Sequence, residues 1–268
     1  MAPPLSYGTV STKAGQLYYE QEGNHSGPTI LFIHGLGGTV NLYQPLMVSL
    51  CDFNIVRFDW AGHGRSAVPK STSIDSYVDD VLAIITHLSL KHVTVVAHSL
   101  GGLVAMNLAA KHPEHVDSLV LFGPLRPPPE FGRQGAAARA DAVRRYGMTE
   151  VVDTVLGNSF PPGFLTSKPE VAALGRELLC RQPPEGYALA CLALSNSVEP
   201  QWDAIRAPTT IVSGNLDKVS RPEICSSIKQ ALEPSCAVSF ISWDGVGHWY
   251  PLERPTGCAE IIRSAVHS

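Results

Sequence analysis

The sequence has no run approaching the ~18 uninterrupted apolar residues that a membrane-crossing helix needs, so no bilayer-spanning role is expected. Residues 1–19 lack both a basic start and a continuous apolar stretch, which argues against a secretory leader and predicts an unprocessed, cytoplasmic chain. Charge is sparse: Asp, Glu, Lys and Arg make up 16% of the residues, and 24 acids against 20 bases leave a formal net charge of -4. Lys and Arg form no cluster anywhere. Neutralising phosphates requires a basic surplus, so nucleic acid is not an expected partner. The six cysteines (Cys51, Cys180, Cys191, Cys225, Cys236 and Cys258) form no CxxC pair and no zinc-type spacing, and the ten histidines are scattered. No metal is expected. An even cysteine count would allow three disulfides, but wide spacing through apolar segments favours buried free thiols. His112 and His115 fall at the polar end of a predicted helix and read as solvated.

What is present is an ordinary globular composition, 44% hydrophobic, in a chain of 268 residues, long enough for one α/β core with an insertion. Before position 124, short β-branched runs alternate with helix-period segments. Thr29–Ile33, Asn54–Phe58, Val93–Ala97 and Ser118–Phe122 read as strands, and Ile74–Leu88 and Leu100–Lys111 as helices, which is the pattern of a parallel sheet. Runs at Leu5–Ser11 and Gln16–Gln21 suggest an antiparallel edge. From Pro124 the strand signal stops: PLRPPPEFG opens a stretch filled by four helical patterns, near Ala136–Tyr146, Thr149–Leu156, Pro169–Cys180 and Glu185–Ser195. Alternation resumes with Thr209–Ser213 and Ala237–Ser242 as strands and Pro222–Leu232 and Pro255–Val266 as helices. The expected organisation is therefore a core of 1–124 and 201–268 interrupted by a helical lid at 125–200.

The strongest local signal is VTVVAHSLGG (93–102), a strand that turns on Ser99 into a helix. A serine held at such a turn needs small neighbours two positions away, and Ala97 and Gly101 meet that need, with alanine in place of the usual first glycine. Free amides at the helix start favour developing negative charge, which makes the Leu100 amide a candidate oxyanion donor. The plainer reading of Ser99 is a helix N-cap. His98 should point away from the serine and pack. The second signal, HGLGG (34–38), follows a strand; Gly35 lets the backbone approach a bound group, and the Leu36 amide is a second candidate donor. A dinucleotide loop fails there because no GxGxxG exists. His34 reads as structural.

An acid and a base remain to be found, each on a loop after a later strand. GNLDKV places Asp217 beyond one strand, and WDGVGHW places His248 beyond the next. Asp244, on the same loop as His248, is the rival acid. Asp59, in DWAGHGRS, precedes the serine and reads as a loop organiser.

Through HGLGG, DWAGHGRS, AHSLGG, GNLD and GVGHW the sequence resembles the α/β-hydrolase superfamily over nearly its whole length. One departure is Ala61, where many relatives carry proline or arginine. The resemblance implies the α/β-hydrolase fold, a mostly parallel central sheet flanked by helices with a helical lid, and a triad of Ser99, His248 and Asp217 working without a cofactor. Serine at the turn weighs against haloalkane dehalogenases and epoxide hydrolases, which use aspartate there. RYGMTEVVDTVL (145–156) and PEGYALAC (184–191) resemble the lid of β-ketoadipate enol-lactonases, which implies a small-molecule ester or lactone substrate, one that carries a carboxylate included. Arg126, Arg133 and Arg139 are then candidate carboxylate clamps, against a reading as solvated surface arginines. Trp60, Trp202, Trp249 and Tyr250 are candidates to line an apolar pocket, with core packing as the alternative. Two other classes stay open on the same scaffold: a slow-turnover ligand receptor, and a carbon–carbon bond hydrolase or cofactor-free oxygenase.

Overall fold

The computed structural model describes residues 5–266; residues 1–4 and 267–268, on which part of the leader expectation and the ends of the core boundaries fall, lie outside the described residues. Eight strands form one sheet: β1 (Ser6–Thr12), β2 (Gly15–Gly23), β3 (Thr29–Ile33), β4 (Asn54–Phe58), β5 (Val93–His98), β6 (Val116–Phe122), β7 (Thr209–Gly214) and β8 (Val238–Trp243). Their order across the sheet is β1-β2-β4-β3-β5-β6-β7-β8. The β1–β2 and β2–β4 pairs are antiparallel and all the others are parallel, so the expected antiparallel edge is there.

Side chains alternate between the two faces of a strand. Leu31 and Ile33 of β3, Val95 and Ala97 of β5, and Leu119 and Leu121 of β6 join one core. Ile30 and Phe32, Val96, and Val120 and Phe122 join the other. Each face is covered, which is why these strands read as continuous apolar runs.

Helices α1 (Ile74–His87) and α2 (Leu100–Lys111) pack with the first core. α1 starts on a capping box, with Ser73 accepting from the Ser76 amide and Ser76 answering. Every residue of α2 but Lys111 is buried, so this helix has no polar stripe and runs inside the molecule. Between β6 and β7 lie α3 (Glu130–Tyr146), α4 (Thr149–Ser159), α5 (Phe164–Ser167), α6 (Pro169–Cys180) and α7 (Pro184–Ser195), followed after β7 by α8 (Pro222–Leu232), α9 (Tyr250–Glu253) and α10 (Pro255–Val266). α3 begins six residues before the first expected position, and α5 and α9 are short helices that periodicity does not reveal. The largest departure is Val40–Leu50, a 3-10 segment carrying Pro45 and burying Leu42, Tyr43, Leu46 and Leu50; its period of three escapes a search for 3.6.

All six cysteines are free, as expected, but not all are buried: Cys51 and Cys180 are exposed and Cys236 is half-buried. Cys51 ends the 3-10 segment and Cys180 ends α6, where an apolar neighbourhood in sequence does not mean the interior.

Candidate active site

Ser99 stands between β5 and α2 with φ 55 and ψ -122, a left-handed backbone that a non-glycine residue adopts only under constraint, at a cost of ~1–3 kcal/mol. The constraint is steric. A Cβ added to Gly101 would lie 2.5 Å from the His34 carbonyl oxygen and 2.6 Å from that of Ile33, so α2 starts hard against the end of β3. The Ser99 side chain makes no capping hydrogen bond, which removes the N-cap reading. Its hydroxyl instead lies 2.8 Å from His248 Nε2.

His248 is reached from β8 through a glycine-containing loop. Its Nδ1 lies 2.7 Å from Asp217 Oδ2, so the Nδ1–H tautomer donates to the carboxylate and leaves Nε2 to accept from Ser99. The backbone of this loop is clamped by Glu253, whose two carboxylate oxygens accept from the amides of Gly247 at 2.7 Å and Trp249 at 2.8 Å. Burial pushes the Glu253 carboxyl up to about 7, against the pull of those amides. The His248 amide donates to the Ser159 carbonyl at the end of α4, 2.6 Å away, which ties the helical insert to the histidine.

Asp217 follows β7. Its Oδ1 accepts from the amides of Val219 and Ser220, both at 2.8 Å. Burial raises its carboxyl, but the imidazole of His248 and these amides outweigh it and hold the group below its ordinary value. Asp244, the rival acid, is exposed and holds Asn215 instead. Ser99, Asp217 and His248 are 5%, 3% and 4% exposed, so a hydroxyl, an imidazole and a carboxylate meet in a largely desolvated line.

His98 does more than pack: its Nε2 donates to the His248 carbonyl at 2.7 Å. Burial and the nearby His248 push its imidazole down to about 3, so it stays a neutral brace. His34 is structural, as expected, bonding the Gly35 carbonyl through Nδ1 and accepting the Trp60 amide on Nε2. Asp59 organises its loop by accepting the Val40 and Arg65 amides at 2.7 and 2.9 Å.

The HGLGG loop lies directly over the serine. A Cβ on Gly35 would sit 2.9 Å from Ser99 Cβ, and one on Gly37, at φ +77, would sit 2.5 Å from Leu179. The loop that carries Leu36 thus packs against Ser99, the residue from which α2 starts with Leu100. Sequence reasoning missed Gln182, between α6 and α7. It is 2% exposed; its Nε2 donates to the carbonyls of Gly37 (3.1 Å), Gly38 (3.2 Å) and Leu178 (2.7 Å), and its Oε1 accepts the Gly64 amide at 3.1 Å. One amide thus joins the insert to two core loops. A lone glutamine at a helix end carries no sequence signal for that role.

The remaining candidates are distributed differently. Trp249 is buried beside His248 with its ring 5.7 Å from Phe160. Trp60 is a core residue and not a pocket wall: it is 1% exposed, stacked on His34 at 4.7 Å and edge-on to Tyr77 at 4.5 Å. Tyr250 is likewise fully buried. Arg126 is no free clamp, because it pairs with Glu199 at 3.1 Å and lies over the Trp202 ring. Arg133 is occupied by the carbonyls of Ser195 and Ser197. Arg139, on α3 beside Tyr187 and Cys191 of α7, pairs with no carboxylate among the described residues. A cavity of about 620 Å³ lies apart from the triad, lined by Thr39, Asp59, Arg65, Leu178 and Arg181 among others. No group of three or more His, Cys, Asp or Glu that would hold a metal ion, and no helix long and apolar enough to cross a membrane, occurs among the described residues.

A family model described as the alpha/beta hydrolase fold matches residues 28–146. The 3-oxoadipate enol-lactonase 2 of Acinetobacter baylyi is 30% identical over 215 residues, covering 79% of this chain and 80% of that protein. The chain belongs to the α/β-hydrolase family. Among solved structures, this α/β-hydrolase is similar to a thermophilic esterase from Thermogutta terrifontis, with a TM-score of 0.87 and 25% identity over 98% of this chain and 100% of that one. The enol-lactonase from Burkholderia xenovorans shares the fold, with a TM-score of 0.89 and 24% identity over 97% of this chain and 100% of that one.

Proposed function

We propose that this α/β-hydrolase is a serine hydrolase that cleaves a small carboxylic ester or lactone through an acyl-enzyme, in the manner of an enol-lactonase. The observation that carries the reading is the hydrogen-bonded line from Ser99 Oγ through His248 to Asp217, with Ser99 on a strained strand-to-helix turn. The lactonase and esterase relatives support the bond type.

The chemistry follows from the line. His248 Nε2 takes the hydroxyl proton as Ser99 Oγ attacks the carbonyl carbon, and the carbonyl electron pair moves onto its oxygen. The amides of Leu36 and Leu100 donate to that oxyanion, an interaction whose loss typically costs ~10²- to 10³-fold in rate. Asp217 holds the Nδ1–H tautomer and stabilises the imidazolium. Collapse of the tetrahedral adduct breaks the carbon–oxygen bond, and His248 returns its proton to the leaving oxygen, which in a lactone stays tethered to the acyl group. Water, deprotonated by the same imidazole, then attacks the acyl-enzyme and frees Ser99.

The helical insert at 125–200 acts as the lid over this site, and Gly35 and Trp249 contribute to the substrate's surroundings. Of the three candidate arginines, Arg126 is held by Glu199 and Arg133 by two backbone carbonyls, whereas Arg139 is engaged only by the Tyr187 side chain and is the one we assign to a substrate carboxylate. A panel of esters and lactones with Ser99→Ala as control tests the reading: turnover that survives the substitution would remove it.

A further inference from the structure

Asp217 receives a donor that a serine, histidine and acid line does not require. Tyr250, two residues beyond His248, places its hydroxyl 3.0 Å from Asp217 Oδ2, the same oxygen that lies 2.7 Å from His248 Nδ1. The Gly214 amide lies 2.8 Å from the phenol oxygen. An N–H can only donate, so the Tyr250 oxygen accepts from Gly214 and its own proton is directed at Asp217. The ring is fully buried, and burial together with the nearby carboxylate pushes the phenol far above its ordinary range, which keeps that proton in place. Its slot is built for it: Gly123 stands at φ +51, and a Cβ there would lie 2.6 Å from the Tyr250 ring and 3.1 Å from its hydroxyl.

We propose that Tyr250 is a positioning residue that tunes the strength of the His248 base by dividing one oxygen of Asp217 between two donors. The proposal rests on the reading of Ser99, His248 and Asp217 as the reacting line. A carboxylate oxygen that accepts a second hydrogen bond offers less negative charge to the first. Tyr250 therefore weakens the hold of Asp217 on the imidazolium. The Val219 and Ser220 amides occupy Oδ1, leaving Oδ2 as the oxygen in contention. The other titratable groups around the pair are His98 from β5, bonded to the His248 carbonyl, Glu253 from α9, bonded to the loop amides, Cys225 from α8, bonded to Ser220, and the exposed Lys218. None of these donates to Oδ2 among the described residues.

The test compares the intact protein with Tyr250→Phe and with a chain carrying 2,3-difluorotyrosine at position 250, which keeps the ring in its slot while making it a stronger donor. The readouts are the pH profile of kcat/KM on an activated aryl ester and the low-field Nδ1 proton resonance of His248. Loss of the donor is expected to move the acid limb of the profile up by ~0.5 pH unit and the resonance further downfield. Fluorination is expected to move both the other way. An acid limb and resonance that stay put in both proteins, or move in the same direction in both, would overturn the role of Tyr250. Failure of a fluorophosphonate to label Ser99 in the unmodified protein would instead remove the underlying triad, a result that does not depend on either variant.

Discussion

Substituting Gln182 by Leu separates the insert from the loops that flank the serine while keeping most of the side-chain volume. The exchange strands the Gly64 amide and removes a donor from the Gly37 and Gly38 carbonyls, all at a position 2% exposed. A buried polar group left without its partner costs ~1–3 kcal/mol, and water relieves part of that at the carbonyls, so a total of ~2–4 kcal/mol is expected. For a chain of this size that corresponds to a Tm about 5–15 °C lower. The Gly37 and Gly38 carbonyls belong to the loop bearing Leu36, and under the proposed mechanism a looser loop would blunt one of the two oxyanion donors. The expected loss in kcat is about tenfold, well short of the 10²- to 10³-fold for removing a donor outright, with KM changed less. Differential scanning calorimetry and steady-state kinetics on one aryl ester measure both. A Gln182→Leu protein with wild-type Tm and kcat would refute the idea that this amide carries the junction.

Asp217→Asn should fold but lose activity by about 10⁴-fold, because its amide nitrogen would face donors on either side and favour the wrong imidazole tautomer; circular dichroism with kinetics checks both halves. Asp80 is 3% exposed and accepts the Ala61 amide, and burial pushes its carboxyl up to about 7. A folded value above the unfolded one means that its contribution to stability is full below pH ~4 and is lost as pH rises through ~7, so Asp80→Asn should gain about 3–4 kcal/mol relative to wild type between pH 4 and 8. Urea denaturation at the two pH values measures this, and a constant difference would contradict it. A thiol reagent should modify Cys51 and Cys180 in the native protein and leave Cys191, Cys225 and Cys258 untouched until denaturant is added; peptide mass spectrometry reads the pattern.

The core of the fold and the hydrogen-bonded line of Ser99, His248 and Asp217 were legible because their determinants are local. A strand that must end on a serine and enter a helix writes small residues at 97 and 101, and Asp217 and His248 each follow a β-branched run whose end fixes their place in space. The roles of Gln182, Tyr250 and His98 are set by partners about 145, 33 and 150 residues away along the chain, respectively, and nothing in their own surroundings announces that. Tyr250 reads as a pocket aromatic because a side chain bonded at its tip and packed on its ring has the same neighbours in sequence as one that lines a cavity. Arg126 and Trp60 mislead in the same way: a guanidinium beside an insert does not reveal that Glu199 already holds it, nor does an indole after a strand reveal that it faces inward. The 3-10 segment at 40–50 was hidden by its period and by Pro45.

Whether Ser99 is the nucleophile is decided most directly by mass spectrometry of the intact protein after treatment with a fluorophosphonate, followed by peptide mapping. A single adduct on Ser99 is expected, absent from Ser99→Ala and strongly slowed in Asp217→Asn. An unlabelled protein, or an adduct on any other residue, would contradict the central assignment.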